Sequence, residues 1–183
     1  MTQYIALLHG INIGRTKRIP MTNLRGLFEG LGFSDVRTLL NSGNVVFHAS
    51  QSDVGKLASA IEAAIRSYFG FSVPVSVLTA LELNTVVAEN PLLQAAGEPS
   101  KLLVGFIATT PNLGKARQLL MEAWAPDALA VGDKAAYLWC PHGIIKSRLM
   151  QAFTRIMGDA ATTRNWATVL NLQAVVGERQ KAV

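Results

Sequence analysis

The order of apolar segments in the first 80 residues constrains the fold more than any other feature. Short apolar runs bounded by turn residues predict four strands, at Gln3–Leu8, Val36–Leu40, Val45–His48 and Val73–Leu78. Apolar residues at helical spacing predict two helices among them, one after Pro20 and one over Asp53–Phe69, whose buried stripe is expected to include Tyr68. The resulting β-α-β-β-α-β order is that of the ferredoxin-like motif.

A similar order begins again after Asn90–Ser100, a segment with two prolines and a glycine that is the best candidate boundary. Three further strands are predicted, at Leu102–Ala108, Ala128–Val131 and Ala135–Trp139. Two helical patterns accompany them, and a final helix is predicted over about Asn165–Val175. We therefore expect an α+β fold of two ferredoxin-like (βαββα-type) halves packed together, residues 1–90 and 91–183, with an extra C-terminal helix.

The hydrophobic content argues for a folded protein outside the membrane. Half of the 183 residues are hydrophobic and 16% are charged, which excludes a disordered chain. The apolar runs all fall short of the roughly 20 residues that a transmembrane helix needs. The stretch Tyr4–Leu8 lacks the basic leader of a signal peptide, and the single cysteine, Cys140, excludes an internal disulfide. We expect a cytoplasmic protein with no membrane partner.

The charge distribution is uneven. The net charge is +5, with +3 in residues 1–48, −2 in residues 49–141 and +4 in residues 142–183. Basic ends around a mildly acidic middle are typical of a surface that faces an anion, and equally of ordinary solubilising charge.

Polar and basic residues at the predicted junctions between elements are the candidates for an anion-binding site. They are His9, Asn12, Arg15, Lys17, Ser42, Asn44, Lys146, Ser147, Arg164 and Asn165. Backbone N–H groups of a glycine-containing strand-to-helix loop can hold a phosphate, and a guanidinium with a neighbouring amide can grip an oxyanion. The loop at residues 10–18 nevertheless matches neither G-x-x-x-x-G-K-[ST] nor G-x-G-x-x-G.

Each of these residues also has a purely structural interpretation, which the sequence leaves open. The loop can be a simple βα connection, and Ser42 with its neighbours a hairpin turn. Ser147 can be a helix N-cap, and Arg164 can form a buried ion pair, while Trp166 is expected in the core. The three histidines form no metal signature, so neither a metal nor a cofactor is expected.

Several separated motifs together resemble a known bacterial family. They are Tyr4–Gly14, Leu31–Phe33, Asp35–Thr38, Ser42–Phe47, Leu138–Pro141, Gly143–Ile144, Ser147–Leu149, Thr162–Trp166 and Thr168–Val169. In this order they are similar to the family catalogued as "domain of unknown function 1697". The family more often has Arg where His9 stands and Lys where Arg148 stands. The resemblance implies a cytosolic α+β fold of ferredoxin-like halves, and it implies no activity.

Three functions remain as alternatives. The first is a binding protein for an anionic ligand, a phosphorylated small molecule or a nucleic acid, in a basic cleft between the halves. The second is a protein-interaction or self-association module that uses the strand Val73–Leu78 as an exposed edge. The third is a small enzyme acting on a phosphate- or carboxylate-bearing substrate, with Arg15, Lys146 and Arg164 as an anion clamp and His9 as acid or base.

Overall fold

The computed structural model describes residues 1–51, 53–94, 97–107 and 109–178. The chain forms two compact units. The first comprises Met1–Leu83 and the chain from Leu172 onward, and the second comprises Asn84–Asn171. The domain boundary expected at residue 90 stays a prediction, because these units mark only where the backbone packs most densely.

The first unit contains four strands and two helices in the predicted order. They are β1 (Thr2–Leu8), α1 (Met21–Gly30), β2 (Ser34–Leu39), β3 (Asn44–Ala49), α2 (Val54–Phe69) and β4 (Val75–Thr79). The strands form one antiparallel sheet in the order β2-β3-β1-β4. Strand β4 therefore lies at an edge, where a proline at its start is tolerated.

Local chemistry fixes the ends of α2. The Asp53 carboxylate accepts hydrogen bonds from the backbone N–H groups of Gly55 and Lys56 at 2.9 and 3.1 Å, so that it caps the helix. At the other end Gly70 has φ of +78°, a left-handed conformation that glycine adopts without steric cost. The helix therefore begins and ends where its sequence predicts.

The core of the first unit fills the space between the sheet and its helices. Tyr4, Ala6 and Leu8 alternate along β1 on the helix-facing side, and Phe28 of α1 packs edge-on against Phe47 of β3. The prediction that Tyr68 belongs to this core is wrong, because Tyr68 is 66% exposed. Its α2 neighbours Leu57, Ile61 and Ile65 alone complete the buried stripe.

Two helices cross the boundary between the units. Helix α3 (Ala80–Ala88) begins in the first unit, and α6 (Trp166–Gly177) ends there. Between them the chain forms β5 (Leu102–Ile107), α4 (Thr110–Gln118), β6 (Ala128–Val131), β7 (Ala135–Trp139), α5 (Arg148–Met157) and β8 (Ala161–Asn165). These strands form a second antiparallel sheet in the order β6-β7-β5-β8.

Strand β8 corrects the sequence prediction. The sequence predicts that the last helix begins at about Asn165, but Asn165 belongs with Arg164 to β8, and α6 starts at Trp166. The predicted strand end at Ala108 lies outside the described residues.

The fold class is confirmed as α+β, with two four-stranded antiparallel sheets and six α-helices in the described part of the chain. Among those six, none has both the length and the apolar content needed to cross a membrane.

Candidate functional site

The loop between β1 and α1 is closed by one asparagine. Asn12 has φ of +56°, a conformation that asparagine tolerates better than most residues. Its side chain donates to the carbonyls of Ile19 (3.0 Å) and Asn41 (2.7 Å) and accepts from the Ile19 N–H (2.9 Å). These bonds join both ends of the loop and attach it to the turn before β3. The loop is therefore closed at its base and joined to the hairpin turn.

Three cations project from this closed loop. Arg15, Lys17 and Arg18 are all exposed. Within the described residues, none of the three forms an ion pair. An exposed cation without an acidic neighbour keeps its full capacity to attract an anion from solution.

A cavity of about 300 Å³ lies beside the loop, and it is lined by Asn12, Arg18, Ile19, Pro20, Met21 and Asn41. Two of these residues form the start of α1: Pro20 is the N-cap and Met21 the first helical residue. Proline has no side-chain acceptor, and the first turn of α1 contains no acidic residue. The first-turn N–H groups are thus not capped by a side chain, and the positive end of the helix dipole is not neutralised locally.

The hairpin tip next to this loop has a structural role. Asn44 is fully buried, and its amide donates to the Leu39 carbonyl and to the Ser42 hydroxyl, both at 2.9 Å. Gly43 has φ of +78°, and a Cβ there would lie 2.7 Å from the Leu8 Cβ. The structure therefore brings the tip against the end of β1, but it uses the amide of Asn44 to shape the turn.

His9 directly follows β1 and is hydrogen-bonded to β4 and to the residue before β4. Its Nε2 lies 2.9 Å from the Ser76 hydroxyl, and its backbone N–H donates to the Pro74 carbonyl at 2.9 Å. Both side chains are buried, at 8% and 7% exposure. The hydrogen bond orients the imidazole toward β4.

In the second unit, Ser147 caps α5. Its hydroxyl oxygen accepts from the Met150 N–H at 2.9 Å and donates its proton to Asp127 at 2.8 Å. The Cys140 thiol contacts the same oxygen at 3.4 Å. Burial raises the pKa of Cys140, the hydrogen bond between its thiol and Ser147 opposes that shift, and the Asp127 carboxylate adds to it. A carboxylate at hydrogen-bond distance makes this cap a poor place for an anion, and a buried thiol with a raised pKa is a poor nucleophile. The neighbouring Lys146 is exposed.

The side chains of Arg164 and Asn165 form hydrogen bonds to residues close to them in the sequence. Arg164 is 8% exposed, and its guanidinium donates to the Thr162 hydroxyl at 2.8 Å and to the Thr163 carbonyl at 2.9 Å. Burial lowers the pKa of this guanidinium to about 10. The Asn165 side chain accepts from the Thr168 N–H at 2.9 Å and so caps the first turn of α6. A clamp that would join these residues to the loop of the first unit stays a prediction.

The structure adds residues that the sequence analysis missed. Arg18, Pro20, Met21 and Asn41 line the cavity although none was among the predicted site residues. Arg18 belongs to the basic loop, so its charge was a usable signal. Asn41 and Asn12 lie 29 residues apart, and no local pattern indicates their hydrogen bond. In the described ranges, no group of three or more His, Cys, Asp or Glu side chains could hold a metal ion.

Comparison with known proteins supports the fold and places the chain in a family. No curated protein matches it significantly. A solved structure, that of the conserved bacterial protein SP0830 from Streptococcus pneumoniae, is similar with a TM-score of 0.80 and 18% sequence identity. The similarity covers 96% of this chain and 98% of that one, and at this identity it shows the fold alone. The family described as "Protein of unknown function (DUF1697)" matches residues 1–137. The chain therefore belongs to the DUF1697 family.

Proposed function

We propose that this protein binds a small phosphate-bearing ligand at the cavity beside the loop of residues 10–18. The observation that carries the proposal is the chemistry of that cavity. Arg18 lines it, and within the described residues Arg18 forms no ion pair. The lining also includes the uncapped start of α1. Cations and helix N-terminal N–H groups are the two features that proteins combine to hold phosphate.

The nature of the sheet favours a small ligand over RNA. Sheets that bind single-stranded RNA stack bases on exposed aromatic side chains. The two aromatic residues on the central strands of the first sheet, Tyr4 and Phe47, are 1% and 0% exposed and belong to the core. A phosphorylated small molecule needs no such platform.

We also infer that each unit is a ferredoxin-like half. In both units the four strands are antiparallel, and the strand last in sequence lies beside the first one at an edge of the sheet. That arrangement is the split βαβ pattern expected from the order of elements. The single cysteine fits a reducing cytoplasm, which is the compartment we propose for the protein.

Calorimetric titration with inorganic pyrophosphate at low salt tests the proposed site. We expect saturable binding that weakens as salt rises, and Arg18→Gln should weaken it by about threefold to tenfold. The matched control is Arg25→Gln, which removes the same charge from α1. Arg25 already pairs with Glu29 at 2.8 Å, so its loss should leave the affinity unchanged. Absence of saturable binding, or equal weakening by both variants, would overturn the proposal.

A further inference from the structure

The lining of the same cavity has two chemically different sides. Arg18 and Asn41 supply a guanidinium and an amide, while Pro20 and Met21 supply apolar surface. The N–H groups of the Asn12 side chain are used within the loop, and Ile19 is almost completely buried. A site for a bare inorganic anion needs only the first kind of surface, because apolar walls contribute nothing to holding a hydrated ion. The apolar side therefore needs a separate explanation.

The size of the cavity is consistent with a ligand larger than phosphate. Its volume of about 300 Å³ is at the lower end of the range for small-molecule pockets. It corresponds to roughly ten water molecules at their share of liquid volume, more than one phosphate group would displace. A phosphate near Arg18 leaves room over Pro20 and Met21 for a ring-sized group.

The apolar side is also fixed in place. Ile19, which directly precedes this side in the sequence, is 1% exposed in the core, and both polar groups of its backbone are bonded to Asn12, so the chain entering the apolar side is anchored. Pro20 has a rigid ring, and Met21 is partly buried against the core of the first unit. A preformed apolar wall of this kind gains affinity by burying apolar surface without ordering the protein first.

We infer that the ligand is an amphiphilic anion, a phosphate ester whose organic part is a flat apolar ring. The phosphate lies near Arg18 and the start of α1, and the ring packs on Pro20 and Met21. Methionine is well suited to this contact, because its thioether is polarizable and packs favourably against aromatic rings. This inference rests on the proposed anion site and adds the chemical class of the group that the phosphate carries.

The test compares inorganic phosphate with phenyl phosphate by calorimetry at the same low salt concentration. We expect phenyl phosphate to bind at least about fivefold more tightly, because its ring buries apolar surface that phosphate lacks. Met21→Gln should remove most of that advantage, so that the ratio of the two affinities in this variant falls toward one. Met21→Leu, which keeps an apolar side chain, should retain the advantage.

The outcomes separate the two proposals. Equal affinities for the two probes, each weakened by Arg18→Gln, would overturn the amphiphilic ligand and leave the anion site standing. Failure of both probes to bind would overturn both. If Met21→Gln does not fold, Pro20→Gly removes the ring from the same wall without adding a side chain that would cap α1, and an unchanged preference for phenyl phosphate in that variant would also overturn the inference.

Discussion

The two units repeat one arrangement of strands but use their polar side chains differently. In the first unit, Asn12 closes a surface loop, and the cations Arg15, Lys17 and Arg18 project from it without an ion pair among the described residues. In the second unit, the Ser147 hydroxyl caps α5 and donates its proton to the Asp127 carboxylate.

The difference shows what separates a candidate site from a structural residue. The sequence offers Arg164 and Asn165 as candidates beside Arg15, but in the structure Arg164 is buried and bonded to Thr162 and Thr163, and Asn165 caps α6. A polar side chain can bind a ligand only with the hydrogen-bonding capacity that the fold leaves over. By that criterion Arg15 and Arg18 are better candidates for a ligand contact than Arg164 and Asn165, and so is the exposed Lys146 of the second unit.

The largest effect on stability that we expect concerns a difference between the cores of the two units. At Gly105 of β5 an added Cβ would lie 2.6 Å from Cζ of Phe153, whereas the first unit has Ala6 at the helix-facing position in the middle of β1. We expect Gly105→Ala to lower the free energy of unfolding by about 2 kcal/mol or more, since the Phe153 ring must move. Urea unfolding followed by fluorescence and circular dichroism would measure it.

The double variant Gly105→Ala with Phe153→Leu is the control for that explanation. If the clash with the ring is the cause, shortening the side chain should recover part of the loss. If Phe153→Leu instead destabilises the Gly105→Ala variant as much as it destabilises the wild type, the clash with the ring is not the cause.

The next effect concerns Ser147. Replacing it by alanine removes the cap of α5 and leaves Asp127 without its donor, so we expect a loss of about 1–2 kcal/mol in unfolding free energy. The affinity for pyrophosphate should not change. The control is Ser59→Ala on the exposed surface of α2, which should leave the stability within about 0.5 kcal/mol. A Ser147→Ala protein of normal stability and weakened pyrophosphate binding would reverse our assignment.

How far the sequence predicts this molecule depends on the range of the interactions involved. The elements of the first unit follow from local apolar spacing, which is why their order is correct. Strand β8 was missed because Ala161–Asn165 places Thr162 and Arg164, rather than two apolar residues, on its buried side. Buried arginine is uncommon, so the alternation that marks a strand is hidden. Asn41 was missed at the candidate site because its contact is long-range. The hydrogen bond between Asn12 and Asn41 joins residues 29 apart, and it exists only once the first unit has folded.

The outer strands of the two sheets are a further point of comparison. In the second unit, edge strand β6 is only four residues long, and a short edge offers little backbone for pairing. In the first unit, β4 is protected by side chains. The Val75 N–H donates to Glu62 at 2.8 Å and the Thr79 N–H donates to Glu82 at 2.9 Å. Since alternate residues of an edge strand point their N–H groups outward, only that of Val77 remains between them.

The smallest effect on stability is therefore expected at this edge, where oligomeric state is the more sensitive measurement. Replacing Glu62 by alanine removes one hydrogen bond, which should cost about 1 kcal/mol or less, and leaves the Val75 N–H open to a strand from another molecule. Sedimentation velocity should then show a species that grows with concentration beyond that of the wild type. Glu62→Gln keeps a carbonyl acceptor and should behave as the wild type. If Glu62→Ala also sediments as the wild type does, the Glu62 carboxylate is not what prevents pairing through β4.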